Sequence, residues 1–214
     1  MSAAVQRINA DRFQAIVVVA SLGGLDAVST VIADLPATFP VPVLVAQHGR
    51  ADSDPDRLPR LLATRTPLPV RRAMEGLSLR QHGVTVVPTG WRATLDSDDR
   101  LVLSRSTAHR GGDALLSAVA DRLGSAAIGV VLTGMQRDGA RGVQAVKRRG
   151  GRVLVQDPAT SRADGMPSAA IATGCIDFVL PVERIGPALV ALAMAPGGAE
   201  LLTVPIPAWV QLPA

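Results

Sequence analysis

Ser21, His48 and Asp138 are a hydroxyl, an imidazole and a carboxylate that each lie shortly beyond an apolar, β-branched run. Brought to one place, these groups can hydrolyse an acyl bond: the imidazole takes the hydroxyl proton and the carboxylate orients the imidazole. Ser21 stands in Ser21-Leu-Gly-Gly-Leu25, between a strand-like run and a helical pattern. Backbone N–H groups and the helix dipole there would favour a developing oxyanion, although the position equally suits an ordinary helix N-cap. A phosphate-binding turn fits worse, because neither G-x-G-x-x-G nor G-K-[ST] is present. His48 is one of three histidines and the only one directly after a strand-like run; His82 and His109 fall in turn-like segments and are expected in solvent. A lone histidine there could also be just a satisfied polar residue at a sheet edge. Asp138 lies in Gly134-Met-Gln-Arg-Asp-Gly139, whose glycines allow the sharp turn that would aim a carboxylate back at an imidazole. Asp-Gly is also a common turn pair, and Asp157, before Pro158, has the same turn reading.

The elements that must position these groups follow from periodicity. Ala15–Ala20, Pro42–Gln47, Ala127–Thr133 and Arg152–Gln156 read as buried parallel strands. Helical patterns cover Leu25–Leu35, Leu58–Thr64, Ala114–Leu123 and Gly142–Arg149. Strand alternating with helix predicts an α/β fold, a doubly wound, mostly parallel β-sheet with helices on both faces. In such sheets ligands gather at the carboxyl ends of the strands, where Ser21, His48, Asp138 and Asp157 all fall. Pro69–Ala73, Val84–Val87 and Arg100–Leu103 are shorter strand candidates, with Asp96–Asp99 as a hairpin turn, and are expected as a small antiparallel insert. The expected organisation is an N-terminal arm (1–13), one catalytic-type domain (14–194) and a Pro/Gly-rich tail (195–214) that could dock through Trp209.

Composition removes several classes of function. With 214 residues and 48% hydrophobic content, the chain can bury one sizeable core. No apolar run approaches the ~18 residues of a membrane span, so no membrane insertion is expected. Met1–Gln14 lacks the apolar segment of a secretory signal, and a cytoplasmic location is expected. The pI of 10.8 overstates basicity: net charge is +4, and Lys147 is the sole lysine. Aromatic residues are 2% of the chain, too few for stacking platforms, so no nucleic-acid partner is expected. Cys175 stands alone, which excludes an internal disulfide and any zinc site built on paired thiolates.

With these residues assembled, the sequence resembles the catalytic domain of the chemotaxis protein-glutamate methylesterases (CheB type). The matching segments are Val17-Val-Val-Ala-Ser-Leu-Gly-Gly-Leu-Asp-Ala27, Pro42-Val-Leu-Val-Ala-Gln-His48, Glu75-Gly76 with Val84-Thr-Val-Val-Pro88, Ile128 through Gly142, and Gln156-Asp-Pro-Ala-Thr160 leading to Gly165-Met-Pro-Ser-Ala-Ala170. They run in order over about residues 14 to 190. The resemblance implies Ser21 as nucleophile, His48 as general base and Asp138 as the orienting carboxylate. The amides of Leu22 and Met135 would be oxyanion donors, with Gly23 beside them. It implies hydrolysis of a glutamyl γ-methyl ester on a chemoreceptor-type protein to glutamate and methanol, with glutamine deamidation in some relatives, and neither metal nor organic cofactor.

Departures from the family pattern are Leu22, where a small or hydroxyl residue is usual, Gln136 in place of a glycine, and Pro88-Thr-Gly-Trp-Arg-Ala93, which lacks the family's histidine. Most members carry a receiver domain before the esterase; only a short arm precedes the first strand here, so aspartyl-phosphate control in cis is not expected. Two alternatives stand beside the methylesterase: a serine esterase or amidase with a different substrate, motivated by Leu22 and Trp91, and a catalytically silent binding module. The oligomeric state is left open.

Overall fold

A computed structural model describes residues 13–49, 54–106 and 111–195. In chain order the elements are β1 (Ala15–Ala20), α1 (Gly24–Ala33), β2 (Val43–Gln47), α2 (Arg57–Ala63), β3 (Val70–Arg72), β4 (Val84–Val87), β5 (Trp91–Leu95), β6 (Leu101–Arg105), α3 (Gly111–Leu123), β7 (Ala127–Val131), α4 (Ala140–Arg148), β8 (Arg152–Gln156), α5 (Gly165–Ile171), β9 (Phe178–Leu180) and α6 (Val182–Met194). Seven strands pair in the order β3-β4-β2-β1-β7-β8-β9, every neighbour parallel, and β5 and β6 form a separate antiparallel hairpin.

All six residues of β1 are buried, which explains its unbroken apolar run: the strand is central and covered on both faces. Successive side chains point to opposite faces, so each strand divides its residues between two layers. Ile16 and Val18 of β1 pack with Val43, Ile128 and Val130 under α1 and α6, whose Val28, Ile32, Ile185 and Leu189 complete that core. Val17 and Val19 pack on the other face with Val131 and Val155 under α3, α4 and α5, through Leu115, Leu116, Val143 and Met166. The sheet order changes direction beside β1, with β2 on one side and β7 on the other. That switch point puts the loops after β1, β2 and β7 next to one another.

The four main strands form as the sequence predicts, with ends moved by one or two residues in β2 and β7. One expectation is corrected. The segments 69–73 and 84–87 do not belong to an antiparallel insert: β3 and β4 extend the main sheet as parallel strands, with Val43 opposite Val84 and Val70 opposite Val84. Only β5 and β6 make the antiparallel hairpin, around the turn with Asp96 and Asp99. Val84–Val87 is buried throughout, as an internal parallel strand requires, and β-branched residues alone do not disclose strand direction. Of the expected arm and tail, only Phe13 and Ala195 fall within the described residues; Trp209 and His109 lie outside them.

Candidate active site

Asp138 reaches His48 across the end of β1. Its Oδ2 lies 2.7 Å from His48 Nε2, with the two side chains 1% and 16% exposed, respectively. The carboxylate is held by the chain as well: Gly112 N–H donates to Oδ2 at 2.7 Å and Asp113 N–H to Oδ1 at 2.8 Å. Asp138 therefore stays buried without being an uncompensated charge, because three donors converge on it. Gly112 must be glycine for this approach, since a Cβ there would fall 2.6 Å from Asp138 Oδ2 and 2.7 Å from Val19.

Ser21 follows β1 directly. Its N–H donates to Thr133 O at 2.9 Å, its carbonyl accepts from Gly24 N–H at 2.8 Å, and His48 N–H donates to Ala20 O at 3.0 Å. The N-cap of α1 is Gly23, in the left-handed region, and no side chain caps that end of the helix. The capping reading of Ser21 is thereby corrected: the hydroxyl is not used by the helix. Ser21, Leu22, Gly23, Gln47, His48, Met135, Gln136 and Arg162 are among the residues lining one cavity of about 530 Å³. Leu22 is 45% and Met135 70% exposed, an apolar pair at its rim. Leu22, Gly23 and Met135 thus line the same cavity as Ser21, and among the described residues none of their amides donates to a protein acceptor.

The floor is built by the loop after β7 and the Gly-Met-Pro segment. Thr133 N–H donates to Gln156 Oε1 at 2.9 Å, and Thr133 Oγ1 lies 2.9 Å from Leu22 O, which ties the loop after β1 to the loop after β7. Gly134 N–H donates to Ala163 O and accepts, through its carbonyl, from Met166 N–H. A side chain at Gly134 would collide with Met166 Sδ and lie 2.8 Å from Ser21 Cβ. The Gly-Met-Pro sequence thus acts as a buttress behind the serine.

The remaining candidates separate from the site. Asp157 caps the short turn after β8 by accepting from Ala159 N–H at 2.9 Å. His82 is exposed, 3.1 Å from Phe39 O. Trp91 lies beneath the Arg105 guanidinium, 5.0 Å from its ring centre, and does not line the Ser21 cavity. Cys175 is buried, and burial pushes its thiol pKa up, so it is no rival nucleophile. No cluster of three or more metal-ligating side chains occurs among the described residues.

Sequence reasoning missed the start of α3. Asp113 Oδ1 accepts from Gly139 N–H and Gly142 N–H, both at 2.9 Å. Burial pushes its pKa up first, and the Asp138 charge adds to that, against the lowering effect of the Gly142, Gly139 and Arg141 amides. Gly111-Gly112-Asp113 looks like a linker in sequence, and the only available signal was an Asp at the head of a helical pattern.

The family model described as CheB methylesterase matches residues 16–189. The chain is 38% identical over 178 residues to the protein-glutamate methylesterase FrzG of Myxococcus xanthus, covering 81% of this chain and 53% of that one. It is 38% identical over 185 residues to a protein-glutamate methylesterase/protein-glutamine glutaminase of Moorella thermoacetica, covering 83% of this chain and 43% of that one. The chain thus spans about half the length of these curated relatives. Among solved structures, the Thermotoga maritima CheB methylesterase catalytic domain superposes with a TM-score of 0.77 at 29% identity, covering 84% of this chain and 98% of that one.

Proposed function

This chain belongs to the CheB methylesterase family, and from that premise we infer that it is a serine hydrolase that removes methyl esters from glutamate side chains of a chemoreceptor-type protein. The observation that carries the reading is the buried 2.7 Å contact between His48 and Asp138, with Ser21 on the wall of the same cavity as His48. Asp138 accepts from Nε2–H and so fixes the neutral tautomer with its lone pair on Nδ1. In this scheme Nδ1 takes the Ser21 proton as Oγ attacks the ester carbonyl. The ring nitrogens thus exchange the roles they have in the serine-protease template, where Nε2 faces the serine. The amides of Leu22 and Met135, beside Gly23, hold the oxyanion. The imidazolium then protonates the departing methoxide, methanol leaves, and water attacks the acyl-enzyme by the same proton transfers to release glutamate. An amide leaving group would follow the same course to ammonia, in keeping with the second activity in the name of the Moorella relative.

Methanol release from fully methylated receptor membranes tests this directly. Ser21→Ala is expected to lower turnover on the order of 10⁶-fold; a variant keeping a tenth of wild-type activity would refute the assignment. Leu22 and Met135 favour one second reading, because an exposed apolar rim suits an acyl group bulkier than a methyl ester on a polar helix. A Ser21-dependent turnover of activated esters with no methanol from receptors would select that esterase. The expectations of a cytoplasmic location and no membrane insertion belong to this proposal; no helix among the described residues is long and apolar enough to cross a membrane.

A further inference from the structure

We propose that Asp113 is a positioning residue for the candidate triad: it clasps the loop that carries Asp138, and its charge favours the imidazolium formed when His48 takes the serine proton. The inference rests on the serine-hydrolase reading above.

The geometry is reciprocal. The first-turn amides of α3, from Gly112 and Asp113, bind both oxygens of Asp138. The Asp113 carboxylate in turn binds the amides of Gly139 and Gly142, the first of which follows Asp138 directly in the chain. The N-cap of α4 is Gly139, which has no side chain with which to cap, so α3 supplies the missing acceptor. Asp138 is thus fixed at its carboxylate from one helix and through its backbone neighbour by the same residue. Rotation of the loop that would swing Asp138 off His48 has to break the Asp113 bonds first.

Capping alone does not call for a charge, since Asn or Ser satisfies helix amides as well. A second carboxylate next to a buried one is unfavourable, because like charges oppose ionisation. The groups facing Asp113 are Asp138 with its partner His48, and Arg137 and Arg141, which line a cavity of about 760 Å³ together with Asp113 and Asp138. α5 contributes only Ala169 to that cavity, with Ala172 and Thr173 just beyond its end. Against this background the negative charge of Asp113 has a use when positive charge develops on His48. Asp113 does not line the cavity that holds Ser21, so its expected effect is on Asp138 and His48 rather than on a ligand there.

Asp113→Ala and Asp113→Asn, compared with wild type in turnover of a neutral activated ester and in labelling by a serine-directed phosphonate, separate the roles. Asp113→Ala is expected to lower kcat and the labelling rate about 100-fold, the scale of a ~1 Å misplacement, with KM unchanged. Asn keeps one oxygen for the two amides, so Asp113→Asn should recover most of kcat while the acid limb of its kcat/KM profile moves to lower pH. Wild-type labelling by Asp113→Ala, or an Asp113→Asn profile that coincides with wild type, overturns the proposal. If Asp113→Ala does not fold, the Asp113→Asn profile decides. Wild type that leaves Ser21 unlabelled overturns the serine-hydrolase reading and this inference with it, whereas failure of the Asp113 variants alone leaves that reading intact.

Discussion

The molecule buries an aspartate against a cationic partner at each end of its sheet, and the two pairs differ in what they can do. At the carboxyl edge Asp138 meets His48, whose side chain is 16% exposed to the cavity. At the opposite edge Asp177, just before β9, pairs with Lys147 in the last turn of α4, with side chains 0% and 2% exposed. Asp177 also accepts from Val153 N–H at 2.8 Å, at the start of β8. Both aspartates are fully satisfied, so burial and hydrogen bonding do not tell them apart. The partner does: an imidazole has two ring nitrogens and can face Asp138 with one and the cavity with the other, while the Lys147 ammonium only donates and is enclosed with Asp177. A buried pair is a candidate for chemistry where one partner also meets a cavity, and the loops at the carboxyl edge of a doubly wound sheet supply that access to His48.

Exchanging the roles of the two aspartates gives the largest contrast. Asp138→Asn is expected to reduce turnover by about 10⁴-fold, through the wrong imidazole tautomer, with a small change in thermal midpoint. Lys147→Met should leave activity per folded molecule unchanged and lower stability by about 3–5 kcal/mol, because Asp177 is left buried without the Lys147 charge. Urea unfolding alongside ester turnover checks both, and a Lys147→Met protein with impaired kcat would erase the distinction between the two edges. Adding Asp177→Asn to Lys147→Met should recover most of the lost stability, since the buried charge is gone and the Asn oxygen still accepts from Val153 N–H. Because Lys147 is the only lysine, modification of its side chain by an amine reagent should follow global unfolding; rapid labelling of the native protein would show that the pair is open.

How much of this was legible in the sequence depended on whether the signal was local. The β1 and β8 runs were read with their bounds intact, because a strand buried on both faces must be apolar throughout. Ser21, His48 and Asp138 were legible because each follows such a run, and strand ends fix where loops converge. The direction of β3 and β4 was not, since it is set by partners far along the chain rather than by their own residues. The α3–α4 clasp was invisible for a similar reason. Asp113 and Gly139 are 26 residues apart, and a capping signal is recognised in sequence only when cap and helix are contiguous. Leu22 was legible as the serine's neighbour in the chain and Met135 through the family resemblance, but their exposure at the rim emerges only with the loop geometry.

The smallest expected effect is read by pH at Asp113, beside the pair at the carboxyl edge. Burial, and after it the Asp138 charge, hold the Asp113 pKa above the ordinary carboxylate value of 3.8. The folded state therefore binds this proton more tightly than the unfolded state. The stabilisation that the proton brings is fully present below 3.8 and is lost as pH rises through the folded value. Asp113→Asn has no such proton, so its stability relative to wild type should increase as pH is raised from below 3.8 and level off above the folded pKa. Urea midpoints for the two proteins in steps from pH 3.5 to pH 7 read the difference directly, with the carboxylates remote from Asp113 cancelling between them. A difference that stays constant, or narrows as pH rises, would mean that Asp113 carries its charge in the fold without cost from burial or from Asp138, and the raised pKa would have to be given up while its hydrogen bonds remained.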